Sequence, residues 1–101
     1  MKHAFLIVAG GRGQRAGGGI PKQYQQLGGM PLIRHSLLAA LGHPTIGTVQ
    51  VVIHADDQAL YYNATQGLPA AEKLAAACFG GDSRQESVRF GLEALNKLPE
   101  P

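Results

Sequence analysis

The stretch that most restricts the fold is an apolar run near the N-terminus and the loop that follows it. Residues 4–9, AFLIVA, are apolar without a break. A strand with one wet face alternates apolar and polar residues, whereas one covered on both faces, as in a parallel sheet, does not. The run leads straight into residues 10–21, GGRGQRAGGGIP, which hold six glycines and two arginines, and then into Lys22. A glycine-rich loop lets backbone N–H groups crowd around a bound group that a side-chain-bearing loop would keep at a distance.

Further elements follow in alternation. Residues 27–31, LGGMP, read as a turn. Pro31 suits the first turn of a helix running to about Leu41, with Leu32, Ile33, Leu37, Leu38 and Leu41 on one face and Gly42 as its stop. TVQVVIH, residues 48–54, is the clearest strand after the first. Asp56 or Asp57 then starts a helix that carries Leu60 and Tyr61. Residues 73–79 fit two states: the alanines favour helix, while the short length and the Gly80-Gly81 ending fit a buried strand. Ser83 to Glu86 has the form of a capping box. It opens a helix with Val88, Leu92 and Leu95 at core spacing, ended by Pro99. This order predicts an α/β fold with an open, mostly parallel sheet and right-handed crossovers. Ligands of such sheets sit beyond the carboxyl ends of the strands. The glycine loop and GGDSRQES, residues 80–87, both lie at that end.

Composition narrows the partners. With 101 residues the chain makes one small domain, and a net charge of +2 implies neither a nucleic-acid nor a membrane partner. The charge is unevenly placed. Residues 1–35 contain Lys2, Arg12, Arg15, Lys22 and Arg34 and no acid, while all seven acids lie between Asp56 and Glu100. A cationic N-terminal third suits a small anion, or else is a chance cluster on a solvated face. The lone Cys78 rules out an internal disulfide and reads as a small apolar residue. The opening apolar run is too short to span a membrane and is not followed by a cleavage pattern, so a cytoplasmic protein is expected.

Three readings of the glycine loop compete with a mobile surface loop. A Walker loop requires Gly-Lys followed by Ser or Thr; Lys22 stands between Pro21 and Gln23. A dinucleotide fingerprint, Gly11-x-Gly13-x-x-Ala16, must open a helix, which the glycines at 17–19 and Pro21 forbid. The third is a loop wrapped around a nucleoside triphosphate, with Arg15 and Lys22 stabilising charge on the α-phosphoryl oxygens as pyrophosphate leaves. His54 with Asp56 is a weak candidate metal pair, and Tyr61-Tyr62 reads as packing plus a wet edge.

Gly11-Arg12-Gly13-Gln14-Arg15 with Pro21-Lys22 resembles the signature of the sugar-nucleotidyltransferase-like superfamily. With Gln23-Tyr24, with GGDSRQESV at 80–88 and with Gly91-Leu92, the pattern resembles the 2-C-methyl-D-erythritol 4-phosphate cytidylyltransferases, and the resemblance runs through nearly the whole chain. It implies a Rossmann-like sheet with flanking helices, of which residues 1–101 are the N-terminal, nucleotide-binding part of a larger domain. It implies transfer of CMP from CTP to methylerythritol phosphate, with pyrophosphate released, in non-mevalonate isoprenoid synthesis. Arg15 and Lys22 would be catalytic. Ala9, Gly10, Gly11 and Gly13 would line the nucleotide with backbone, and Gly81, Asp82 and Ser87 would hold the cytosine and ribose. Mg2+ would be held by an aspartate beyond Pro101, and the complete protein would form a homodimer.

The chain departs from that pattern in two respects. The loop usually begins Pro-Ala-Ala-Gly, whereas Val8-Ala9-Gly10-Gly11 stands here, a start also found in related guanylyltransferases. The family's metal-binding and acceptor-binding segments are expected past Pro101. Two alternatives stay open: a CTP-binding segment without catalysis of its own, and a cytidylyltransferase for another sugar-alcohol phosphate such as ribitol 5-phosphate. For Asp82 and Ser83, capping of their own helix competes with ligand contact. For Ser87 the competing reading is a surface hydroxyl.

Overall fold

The computed structural model describes residues 3–9 and 20–98. The apolar run forms the strand β1, His3–Ala9. A single turn of 3₁₀ helix, Lys22–Tyr24, buries the Tyr24 ring. Gln26–Leu27 (β2) and Met30–Pro31 (β3) pair as a minimal hairpin. Its two central residues, Gly28 and Gly29, have φ of 60° and 85°, which is why the expected turn needs glycine at both places. Helix α1, Leu32–Leu41, follows at once. No side chain caps its start; the Leu32 N–H donates to the Gln25 carbonyl instead. Gly42 ends it in a right-handed conformation, not the left-handed one that a C-terminal glycine commonly takes. The terminal carbonyl of Leu41 is satisfied from a distance, by Lys73 Nζ at 3.1 Å.

Strand β4, Ile46–Ile53, begins two residues before the sequence estimate and ends one before it. A 3₁₀ turn at Ala55–Asp57 leads into α2, Gln58–Ala64. The ambiguous segment 73–79 resolves as mostly irregular chain with a two-residue strand, β5, Cys78–Phe79. Leu74 bridges to Val49, and the Ala75 N–H donates to the Val49 carbonyl. The buried amide of Gln50 holds the rest of the segment, donating to the Ala76 carbonyl at 2.9 Å. Helix α3, Arg84–Asn96, closes the described chain.

The three principal strands form one parallel sheet in the order β1-β4-β5. Successive residues of a strand face opposite ways. Val49, Val51 and Ile53 therefore share one face, where they meet Ile33, Leu37 and Leu41 of α1 and Ala64 and Leu68 after it. Val52 points to the other face, against α3.

The face α3 presents to the sheet is turned from the one its apolar spacing suggests. Of Val88, Leu92 and Leu95, expected in the core, Val88 and Leu95 are half-buried and Leu92 is 51% exposed, while Ser87 and Gly91 are buried. The helix rides so close to the strands that only small residues fit beneath it. A methyl group on Gly91 would lie 2.5 Å from Leu6 Cδ1 and 2.8 Å from Val52 Cγ2. β1 differs too: as the outer strand of the described sheet it has an exposed first half, with Phe5 43% accessible.

Candidate functional site

Parallel register brings distant segments to one rim. Ala9 pairs with Ile53, and Ile53 with Phe79, so the three strands end level. The chain leaving each of them, at residues 10, 54 and 80, starts from the same edge. Ala9 is buried at that edge, in β1's last position. Gly10, Gly11, Gly13 and Arg15 lie outside the described residues.

The turn after β5 is the most constrained part of the rim. The Gly80 N–H donates to the Ile53 carbonyl at 2.9 Å, which extends the sheet one residue into the turn. The Gly81 N–H donates to Ser87 Oγ at 3.1 Å. The Asp82 N–H donates to Glu86 Oε1 at 2.8 Å, and the Glu86 N–H donates to Ser83 Oγ at 3.1 Å. Ser83 is thus the helix cap, as its place in the motif predicts, and the Asp82 carboxylate plays no part in that cap. Ser87 is only 4% exposed, so it is not a surface hydroxyl. Both glycines are sterically required: a Cβ on Gly80 would lie 2.5 Å from Ser87 Oγ, and one on Gly81 2.6 Å from Glu86 Cβ. Gly81, Asp82 and Ser87 are therefore brought together, with Asp82 at the exposed surface and Ser87 behind the turn. The role of Glu86 was missed by reading residues for ligand contact; its signal in the sequence was the capping-box spacing from Ser83.

Lys22 stands on a separate support. The 3₁₀ turn that carries it packs against α1 and α2, anchored by the buried Tyr24. Its side chain is exposed and has no ion-pair partner among the described residues. Arg34, counted with the basic N-terminal third, is spent elsewhere. Its Nη1 donates to the carbonyls of Ala64 (3.0 Å) and Gln66 (2.6 Å), closing the C-terminal end of α2. A cation there also meets the negative end of the helix dipole.

His54, where β4 meets the rim, accepts the Asp56 N–H on Nδ1 at 3.0 Å. That bond places the neutral ring's proton on Nε2. No three His, Cys, Asp or Glu side chains converge among the described residues. Tyr61 packs against the core and Tyr62 is 66% exposed, as their packing-plus-edge reading expected. Cys78 is half-buried, and burial pushes its thiol above the usual range. No helix among the described residues is long and apolar enough to cross a membrane.

Comparison with known proteins gives a family and the same fold. The family model "IspD: 2-C-methyl-D-erythritol 4-phosphate cytidylyltransferase" matches residues 3–99. A bifunctional enzyme IspD/IspF from Rhodospirillum rubrum is 51% identical over 97 residues, covering 96% of this chain and 24% of that protein. Its counterpart from Paramagnetospirillum magneticum is 47% identical, with the same two coverages. The chain thus spans about a quarter of the length of these curated relatives. Among solved structures, 4-diphosphocytidyl-2C-methyl-D-erythritol synthase from Anaerococcus prevotii has a TM-score of 0.69 over 95% of this chain and 37% of its own; at 21% identity this likeness speaks for the fold. The 2-C-methyl-D-erythritol 4-phosphate cytidylyltransferase of Francisella tularensis is 28% identical, with a TM-score of 0.57 over 98% of this chain and 39% of its own. A family match across nearly every residue, on a parallel sheet whose glycine-flanked strand ends share one rim, establishes that the chain belongs to the 2-C-methyl-D-erythritol 4-phosphate cytidylyltransferase (IspD) family.

Proposed function

We propose that the chain is the nucleotide-binding part of an enzyme that transfers CMP from CTP to 2-C-methyl-D-erythritol 4-phosphate and releases pyrophosphate, a step of non-mevalonate isoprenoid synthesis. The observation that carries this reading is the level ending of β1, β4 and β5 in a member of the IspD family. It starts the glycine loop and the Gly80–Ser83 turn from one edge, the place where open α/β sheets take their ligands.

In this reading a phosphate oxygen of the acceptor attacks the α-phosphorus of CTP. The bond from that phosphorus to the β-phosphate bridge oxygen breaks, and pyrophosphate departs. Negative charge builds on the α-phosphoryl oxygens. Arg15 and Lys22 offset it as fixed cations, and the Lys22 side chain, exposed and without an ion-pair partner among the described residues, suits that task. Ala9, Gly10, Gly11 and Gly13 meet the nucleotide with backbone, and the turn of Gly81, Asp82 and Ser87 receives the cytosine and ribose end. A bound Mg2+ would be held by an aspartate outside residues 1–101 and would offset charge on the triphosphate. The complete protein is a cytoplasmic homodimer in this account.

The sheet supports the matching proposal that residues 1–101 are part of a larger domain. Helix α1 covers one face and α3 the other. A right-handed crossover on the face α3 occupies carries the chain back past β4, toward the open edge of β1. A strand there would cover the exposed first half of β1. It would also explain why β1 has the unalternating composition of an interior strand. Without that further chain, residues 1–101 bind CTP and do not turn it over.

The test is pyrophosphate release from CTP and methylerythritol phosphate by the protein expressed from its complete reading frame. Arg15→Ala and Lys22→Ala should each lower kcat/KM by about 100-fold, the scale for removing one charge-stabilising group from a transition state. Absence of turnover in the unaltered protein, or activity within twofold of it in both variants, would sink the proposal.

A further inference from the structure

We infer that Glu86 is a positioning residue of the nucleotide site: it presets the turn that receives the nucleoside, acting through the backbone of Asp82 without touching the ligand. The inference rests on the reading of the Gly81–Ser87 segment proposed above.

In an ordinary capping box the carboxylate three residues into the helix returns to the N–H of the cap residue itself. Here the cap is Ser83, yet Glu86 Oε1 accepts from Asp82, one residue earlier, at 2.8 Å. The other half of the box is regular, with the Glu86 N–H on Ser83 Oγ at 3.1 Å. The carboxylate therefore holds chain that lies ahead of the helix. Its stem also fills the space under the turn: a Cβ on Gly81 would lie 2.6 Å from Glu86 Cβ and 2.9 Å from Oε1. Ser87, the next residue, takes the Gly81 N–H. Consecutive side chains of one helix turn thus fix consecutive amides of the loop, and β5 fixes the amide before them through the Ile53 carbonyl.

Three successive N–H groups, of Gly80, Gly81 and Asp82, are anchored on three different partners. A loop held this way pays little ordering entropy when a ligand arrives. Releasing Asp82 returns that cost to the binding step. The loss should fall on ground-state and transition-state binding of the nucleotide alike, which raises KM and leaves kcat in place.

Met and Gln have helix propensities close to that of Glu, so Glu86→Met and Glu86→Gln both keep the helix. Only Gln retains an acceptor oxygen at the same reach. The experiment measures CTP and acceptor kinetics of both variants in the protein from its complete reading frame, together with hydrogen exchange at the Asp82 amide. Glu86→Met should raise KM for CTP about three- to tenfold, keep kcat within twofold, leave KM for the acceptor unchanged and speed Asp82 exchange. Glu86→Gln should restore KM for CTP to within about twofold of the unaltered protein and keep the amide protected. An unchanged KM in Glu86→Met, an equal fall in kcat, or a Gln variant as impaired as the Met variant would overturn the inference and leave the proposed reaction standing. An unaltered protein that does not use CTP would overturn both.

Discussion

Tyr61 shows how a single side chain can carry a signature of the fold. Its hydroxyl is buried with no hydrogen-bond partner among the described residues. Burial favours the neutral phenol and pushes its pKa from the ordinary 10.0 to about 12. The folded value lies above the unfolded one, so this contribution to stability is complete below pH 10 and is lost as pH climbs toward 12. Tyr61→Phe should leave stability at pH 7 unchanged or raise it by up to about 1 kcal/mol, because an unpartnered hydroxyl leaves the interior. It should also flatten the decline between pH 10 and 12. Urea midpoints of the two proteins across that range are the check; a variant that declines as steeply as the parent would show that the alkaline loss arises elsewhere. The same scale separates Arg34 from Lys22. Both sit in a stretch without acids; Lys22 follows the glycine loop and Arg34 lies in the helix after Pro31, but their chain neighbours do not show what Arg34 holds. Arg34 reaches carbonyls 30 and 32 residues away, and Lys22 reaches none that the described residues show.

At the scale of elements, α3 is the instructive case. Its start was readable, because a cap depends on residues within one turn, and Ser83 does cap it. Its buried face was not. Apolar spacing pointed to Leu92, whereas the sheet receives Ser87 and Gly91. The cause is the close approach to Leu6 and Val52, residues far away along the chain. Gly91→Ala puts this to a test of sign. Alanine favours a helix by about 1 kcal/mol over glycine. The added methyl, 2.8 Å from a Val52 branch that is stiff about χ1, should cost about 1–3 kcal/mol of overpacking. Net destabilisation in urea is expected, and a net gain would mean that α3 stands further off the sheet than described. β5 illustrates the opposite limit. Two paired residues are too few for a periodicity to show, and what fixes the segment is the Gln50 amide and the Val49 carbonyl across the sheet.

For the molecule as a whole, the open side of β1 is the feature with consequences. The Val49 and Ile53 carbonyls point to β5, so the even-numbered residues of β4 bond to β1. Leu6 lies opposite Gln50 and Val8 opposite Val52. In a parallel ladder those positions turn their own amides outward, so the N–H groups of Ala4, Leu6 and Val8 face the free edge. If a further strand pairs there, these amides should be protected from hydrogen exchange in the protein from its complete reading frame by at least about 100-fold over residues 1–101 alone. Equal exchange in the two would remove the basis for extending the sheet at β1. The same edge accounts for the mismatch between a strand composed like an interior one and the exposure of its first half.

A linear reading of the residues was enough for the alternation of elements outside 73–79, the β1 strand to its last residue, the glycine turn at 28–29 and the Ser83 cap. It also carried the family, through the spacing of the glycine loop and GGDSRQESV. Each of these local features rests on sterics and hydrogen bonds that act within about four residues. Packing between elements set which side of α3 meets the sheet, committed Arg34 to the end of α2, and put Ser87 and Glu86 behind the Gly81–Asp82 turn. Those outcomes depend on how closely separate elements approach, a distance set by side chains tens of residues apart.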